Sequence, residues 1–206
     1  MMKKILVSCL VMSLMNLLAQ SQAGAAPASD DPMAGLNLGD STATPPDDGL
    51  PPSPFVAKLK GHLVVLDHGT MKEFDASTLK GVRYWAFYYS ASWCAPCRAF
   101  TPQLVDFYNY FKKSHPNFEL IYVNDDQNEA NMLGYVKADN MPWPSVKFSD
   151  IGSSQLKTYC GPGIPCLVLT DENGKVLSDS FHGQDYVGPG QVMEDIKKMV
   201  PRPEGN

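Results

Sequence analysis

Hydrophobic and polar positions divide this chain into segments of different period. Residues 62–66 and 71–74 are short apolar-rich runs on either side of Asp67-His68-Gly69, which predicts two strands joined by a hairpin-like turn. Residues 75–79 predict one helical turn. Residues 82–90 are almost wholly apolar and aromatic, with Tyr84, Trp85, Phe87, Tyr88 and Tyr89. A run with no polar side suits a strand covered on both faces, as in a parallel sheet. Over residues 95–113 the period changes: Phe100, Leu104, Phe107 and Phe111 recur at helical spacing and mark an inner face. Pro102 lies within that helix and is expected to kink it, because proline has no amide hydrogen to donate. Residues 118–123 predict a second central strand, and Glu129–Ala138 a second helix. Two further strands, 166–170 and 176–180, flank the turn Asp171-Glu172-Asn173-Gly174. Val192, Ile196 and Met199 mark a final helix, entered through Pro189 in its first turn. The order is βαβα, then a hairpin and a helix. It predicts an α/β architecture with a central mixed β-sheet flanked by helices and an N-terminal β-hairpin extension. No internal repeat is present.

The first fifty residues have a different character. Lys3 and Lys4 precede a mostly apolar stretch over 5–18, and Ala23-Gly24-Ala25 follows. A positive start, an apolar centre and a small-residue cleavage site predict a secretory signal peptide over residues 1–25. The apolar stretch is shorter than the roughly 20 residues that span a bilayer, so no stable membrane insertion is expected after cleavage. An uncleaved anchor is the alternative. Leu6-Val7-Ser8-Cys9 also looks like a lipoprotein signal, but it would leave almost no apolar core before the cut. Residues 26–54 hold Pro, Asp, Ser, Thr, Gly and Ala with no aromatic residue. Such a segment buries too little surface to offset its ordering entropy, which predicts a disordered Pro-rich linker. About 150 residues remain, 55–206, enough for one hydrophobic core. The net charge of -5 and the lack of a Lys/Arg run argue against nucleic acid as a partner.

Export decides how the cysteines are counted. Signal cleavage removes Cys9 and leaves Cys94, Cys97, Cys160 and Cys166. Cys94-Ala95-Pro96-Cys97 follows a predicted strand and opens a predicted helix, which is a redox arrangement. The first cysteine sits where unpaired N–H groups and the helix dipole favour an anion, so it is the expected nucleophile. The second lies within one helical turn and can resolve a mixed disulfide. A metal half-site is the competing reading. It would need about four ligands, and the remaining candidates, Cys160, Cys166, His62, His68, His115 and His182, are scattered. A structural disulfide over so short a span would constrain little chain. No metal and no cofactor beyond the Cys94–Cys97 disulfide are expected. Trp93 is expected to cover the pair with an apolar face. Ile164-Pro165 opens a strand, and its bond is either cis, turning the loop against the dithiol, or an ordinary trans bond. Neighbouring backbone would then receive an extended substrate. Trp93, Ala95, Pro96, Ile164 and Pro165 are thus the expected substrate-binding residues. Cys160 and Cys166 are either a second disulfide or relay pair, or two separate thiols. Met141-Pro142-Trp143-Pro144 is either a groove rim or a loop covering the core. Asp125 and Asp126 are expected to be solvated loop acids.

Residues 89–104, Tyr-Ser-Ala-Ser-Trp-Cys-Ala-Pro-Cys-Arg-Ala-Phe-Thr-Pro-Gln-Leu, closely resemble the active-site segment of the thioredoxin superfamily in its tryparedoxin and nucleoredoxin branch. Met141-Pro142-Trp143 resembles that branch's Met-Pro-Trp element, and Gly163-Ile164-Pro165 its cis-proline loop. Gly61-His62-Leu63 and the hairpin after it fit the branch's opening, so the resemblance runs over about residues 59–200. It implies a thioredoxin fold, a reversible dithiol–disulfide cycle and a cis bond at Pro165. Three positions depart from the pattern. Tyr88 stands where many thioredoxins bury an acid, so another group, such as water, has to handle the Cys97 proton. Asn124-Asp125-Asp126-Gln127 stands where the branch usually has a Trp and a Glu. Cys166 replaces the usual Thr after the cis-proline.

Together these features predict an exported, periplasmic thiol–disulfide oxidoreductase. Its expected partners are disulfide-containing protein substrates and a thiol electron donor. The Ala-Pro pair between the cysteines carries no ionisable group, which favours a reductant over a strong oxidant. Two other readings stay open: a reductase dedicated to cytochrome or metalloprotein maturation, and a non-catalytic binding module on the same fold.

Overall fold

The computed structural model describes residues 49–203; the expected signal peptide and residues 26–48 of the expected linker lie outside the described residues. The chain enters the fold through a short helix, α1 (Pro54–Leu59), beginning at the last residue of the expected linker. Ser53 caps it by accepting from the Phe55 amide, and its hydroxyl donates to the Glu172 carbonyl at 2.6 Å. Phe55, Val56 and Leu59 make its buried side.

Two strands follow, β1 (Leu63–Asp67) and β2 (Thr70–Phe74). His68 and Gly69 both take positive φ between them, the backbone that lets a two-residue turn follow the twist of the strands. Next come β3 (Tyr84–Ser90), α2 (Ala95–Phe111), β4 (Phe118–Asn124), α3 (Glu129–Ala138) and a two-residue strand, β5 (Ser145–Val146). The chain closes with β6 (Cys166–Asp171), β7 (Val176–Asp179), the small pair β8 (Phe181–His182) and β9 (Asp185–Tyr186), and α4 (Pro189–Met199). Seven strands form one sheet in the order β2-β1-β5-β4-β3-β6-β7. β3 runs parallel to β4 and antiparallel to β6, so the sheet is mixed and the N-terminal hairpin sits at one edge.

The aromatic run of β3 divides between two cores because successive side chains point to opposite faces. Ala86 and Tyr88 face a core built with Leu104, Phe107, Tyr108 and Phe111 of α2, Tyr135 of α3, and Val192 and Ile196 of α4. Trp85, Phe87 and Tyr89 face a second core with α1, Ile121, Val123, Leu156 and Val168. Met141 and Trp143 are wholly buried, and the Trp143 ring meets Tyr88 and Tyr108 edge-on, so this segment is core. Helix α2 continues through Pro102 as one element.

The far end of α2 is fixed by a buried ion pair. Lys112 caps the helix, and its ammonium lies 3.0 Å from Glu119 of β4 and donates to the Phe118 carbonyl. Glu119 also accepts from the Tyr108 hydroxyl and the Leu120 amide. This clamp ties α2 to the strand beside β3. No helix among the described residues is long and apolar enough to cross a membrane. Replacing Lys112 by Ala would leave the Glu119 carboxylate buried and unpaired, which costs about 3–5 kcal/mol. Urea unfolding of Lys112→Ala is expected to show a loss of that size.

Candidate active site

β3 ends at Ser90, and α2 begins only a few residues later. The intervening turn is closed by the Cys94 amide donating to the Ala91 carbonyl at 3.2 Å. Cys94 is therefore the N-cap of α2, with extended backbone and its side chain over the first turn. Its sulfur accepts from the Cys97 amide at 3.2 Å. Pro96 lies in the first turn, where its missing N–H leaves no helical bond unmade. Cys94 and Cys97 form a disulfide with an S–S distance of 2.07 Å and a Cα–Cα distance of 5.2 Å. Both are buried, while Trp93, Ala95 and Pro96 around them are exposed. Trp93 is 59% exposed, a large ring left beside the disulfide with its Nε1 donating to the Asp125 carbonyl at 3.3 Å.

The proline loop closes the other side. The Ile164–Pro165 bond is cis. The Ile164 carbonyl lies 3.8 Å from the Cys94 sulfur, so the disulfide and the expected substrate-binding loop are in contact. Tyr186 of β9 donates its hydroxyl to the Pro165 carbonyl at 2.8 Å, and its ring packs on Phe181. Phe181 in turn fills the space beside Gly161, where an added Cβ would lie 2.1 Å from the ring. The small β8–β9 pair thus backs this loop, a support that sequence periodicity did not reveal because two residues carry no period.

Beneath the helix start, a hydroxyl network occupies the region where an acid was expected to be missing. Tyr88 shares a hydrogen with Thr101 at 2.7 Å, and Thr101 donates to the Cys97 carbonyl at 3.0 Å. Tyr135 joins Thr101 to the Ser90 hydroxyl. Burial pushes the Tyr88 phenol well above its ordinary range, and burial raises Tyr135 as well. These groups stay protonated at neutral pH and serve as hydrogen-bond partners, not as bases.

Asp126 overturns the expectation of a solvated acid. It is buried, and its Oδ1 accepts from both the Ser92 amide at 3.0 Å and the Ser92 hydroxyl at 2.7 Å. The cause is register: Ser90 of β3 lies beside Asn124 of β4, so the two strands deliver Ser92 and Asp126 to the same place. Asp125 is partly exposed and pairs with Lys157 at 2.7 Å. Among the described residues no group of three His, Cys, Asp or Glu side chains is placed to hold a metal ion. Cys160 and Cys166 are free thiols that border the same core and shift each other's ionisation. Removing the Asp126 carboxylate strands the Ser92 amide, so Asp126→Ala is expected to cost about 1–3 kcal/mol in denaturant unfolding. Asp126→Asn keeps an acceptor and should lose less.

Comparison with known proteins agrees with this geometry. Residues 81–176 match the Thioredoxin-like family. The chain is 36% identical to nucleoredoxin of Xenopus laevis over 147 residues, covering 70% of this chain and 32% of that protein. Human nucleoredoxin is 34% identical over 129 residues, covering 62% of this chain and 28% of its own length. The chain spans about a third or less of the curated relatives it matches. Tryparedoxin I from Crithidia fasciculata superposes with a TM-score of 0.53 at 30% identity, covering 72% of this chain and 97% of that one. The dithiol at the head of α2, the cis-proline loop beside it and these likenesses converge: the chain belongs to the thioredoxin superfamily, in its tryparedoxin- and nucleoredoxin-like branch.

Proposed function

We propose that this chain is an exported thiol–disulfide oxidoreductase that reduces disulfides in proteins through Cys94 and Cys97. The observation that carries the reading is the position of the Cys94 sulfur: it caps α2, accepts the Cys97 amide and faces the Ile164 carbonyl. In the reduced form, the helix N-terminus and that amide favour a thiolate at Cys94. The thiolate attacks one sulfur of a substrate disulfide, forming a mixed disulfide and releasing a substrate thiol. Cys97 then attacks Cys94, frees the second substrate thiol and leaves the Cys94–Cys97 disulfide seen here. Two electrons pass to the substrate. A thiol donor returns them to the enzyme.

In this reading an extended substrate segment lies beside Ile164 and pairs with the backbone there in the manner of an added strand. The exposed Trp93 ring and the exposed Ala95-Pro96 step offer apolar surface on the other side of the disulfide. Buried Tyr88 gives Cys97 no carboxylate, so the proton of Cys97 is left to water. Export rests on the sequence of residues 1–25. It supports a periplasmic place of action, where disulfides form and persist in substrate proteins.

Two measurements test this reading. Cys94→Ser is expected to abolish reduction of a model protein disulfide, and Cys97→Ser to accumulate a mixed disulfide with the substrate. Full activity in Cys94→Ser would refute the reading. The reduction potential of the pair is expected near that of thioredoxin, about -270 mV; a value above about -150 mV would instead make the protein an oxidant.

A further inference from the structure

A second pair of sulfurs lies across the proline loop from the first. Cys160 caps the short 3-10 helix over Leu156–Tyr159, and Cys166 opens β6 immediately after Pro165. The segment 161–165 leaves Cys160 and returns to Cys166, and both side chains border the same core, near enough for each to shift the other's ionisation. Cys166 is wholly buried among Tyr89, Val168 and their neighbours, on the sheet face away from α2. Cys160 is partly buried at the edge of the same core. The loop thus has Cys166 in the core away from α2 at one end, while its Ile164 carbonyl faces the Cys94 sulfur.

The surroundings of the second pair are unequal in a way that suits exchange chemistry. Cys160 is the more accessible of the two residues, and the neighbouring Cys166 holds its thiol below the ordinary range. Cys166 lies deeper, and the neighbouring Cys160 together with burial keeps its thiol protonated. Its S–H points at the Asp179 carboxylate at 3.9 Å, which is also held by the Phe181 amide at 3.1 Å. An accessible attacking thiol, a buried second thiol near it and a carboxylate beside the second are the parts needed for a dithiol to close.

We propose that Cys160 and Cys166 are a second redox-active dithiol, with Cys160 attacking, Cys166 resolving and low-molecular-weight disulfides as the oxidant. Cys160 thiolate attacks one sulfur of the small disulfide, giving a mixed disulfide and one released thiolate. Cys166 passes its proton to Asp179 and displaces the second thiolate from Cys160. The Cys160–Cys166 bond forms, two electrons move to the small disulfide, and the two thiol protons end on its products. The site is separate from Cys94 and Cys97 and does not depend on their activity. Closure would fix the segment 161–165, which carries the Ile164 carbonyl facing Cys94. The second pair would thereby set the stiffness of the groove that serves the first.

The full chain carrying Cys94→Ser and Cys97→Ser isolates the second pair. It is equilibrated in buffers of reduced and oxidised glutathione, alkylated, digested with trypsin and analysed by mass. The peptide over residues 158–175 contains both thiols. It is expected to carry two alkyl labels in reducing buffer and, in oxidising buffer, none and to be two hydrogens lighter. In the same background Cys166→Ser should trap glutathione on Cys160, while Cys160→Ser should trap none. Two labels in every buffer, or glutathione adducts on the intact pair without ring closure, would overturn the proposal. So would a glutathione adduct on Cys166 in Cys160→Ser.

Discussion

Seating the first turn of α2 directly behind the central strand β3 is the constraint on which the site depends. A helix start has backbone N–H groups with no partner inside the helix. Here the Cys97 amide finds one in the Cys94 sulfur. That contact is a cap for the helix and, in the proposed cycle, a hydrogen bond to the sulfur that carries negative charge. The same few atoms hold the fold and serve the chemistry proposed for Cys94. They remain in place because α2 is held along its length: Leu104, Phe107, Tyr108 and Phe111 are packed on the sheet, and Lys112 is clamped to Glu119 at the far end.

The rest of the site is arranged by strand register. The parallel pairing of β3 with β4 brings Asp126 to Ser92 and thereby fixes the turn that presents Cys94. The antiparallel pairing of β3 with β6 sets Tyr89 beside Cys166, so the loop just before β6 arrives at the head of α2. Where many relatives bury an acid, Tyr88, Thr101, Tyr135 and Ser90 form a network of neutral hydroxyls. A neutral network costs far less to bury than a carboxylate and leaves the electrostatics of the pair to the helix start.

Much of this was legible in the sequence because it rests on long, regular patterns. The aromatic run of β3 announced a strand covered on both faces, and the phenylalanine spacing announced α2. The spacing of Cys94 and Cys97 after that strand located the dithiol at the helix start. What stayed hidden was short or non-local. β5, β8 and β9 have two residues each, too few for a period to appear. Asp126 reads as a loop acid until the register of two strands sets it against Ser92. Trp143 sits in a proline-rich segment that looks like a rim, yet its ring fills the core between Tyr88 and Tyr108. Such placements are decided by which strands become neighbours, and no local pattern records that.

The assignment of Cys94 as the nucleophile is tested most directly by labelling the fully reduced protein with a limiting amount of iodoacetamide at neutral pH. Peptide mapping then identifies which of the two active-site sulfurs reacts first. The account predicts that the label falls on Cys94, since its thiolate is the form stabilised at the helix start and thiolates are the reacting species. Preferential labelling of Cys97, or equal labelling of both, would contradict it.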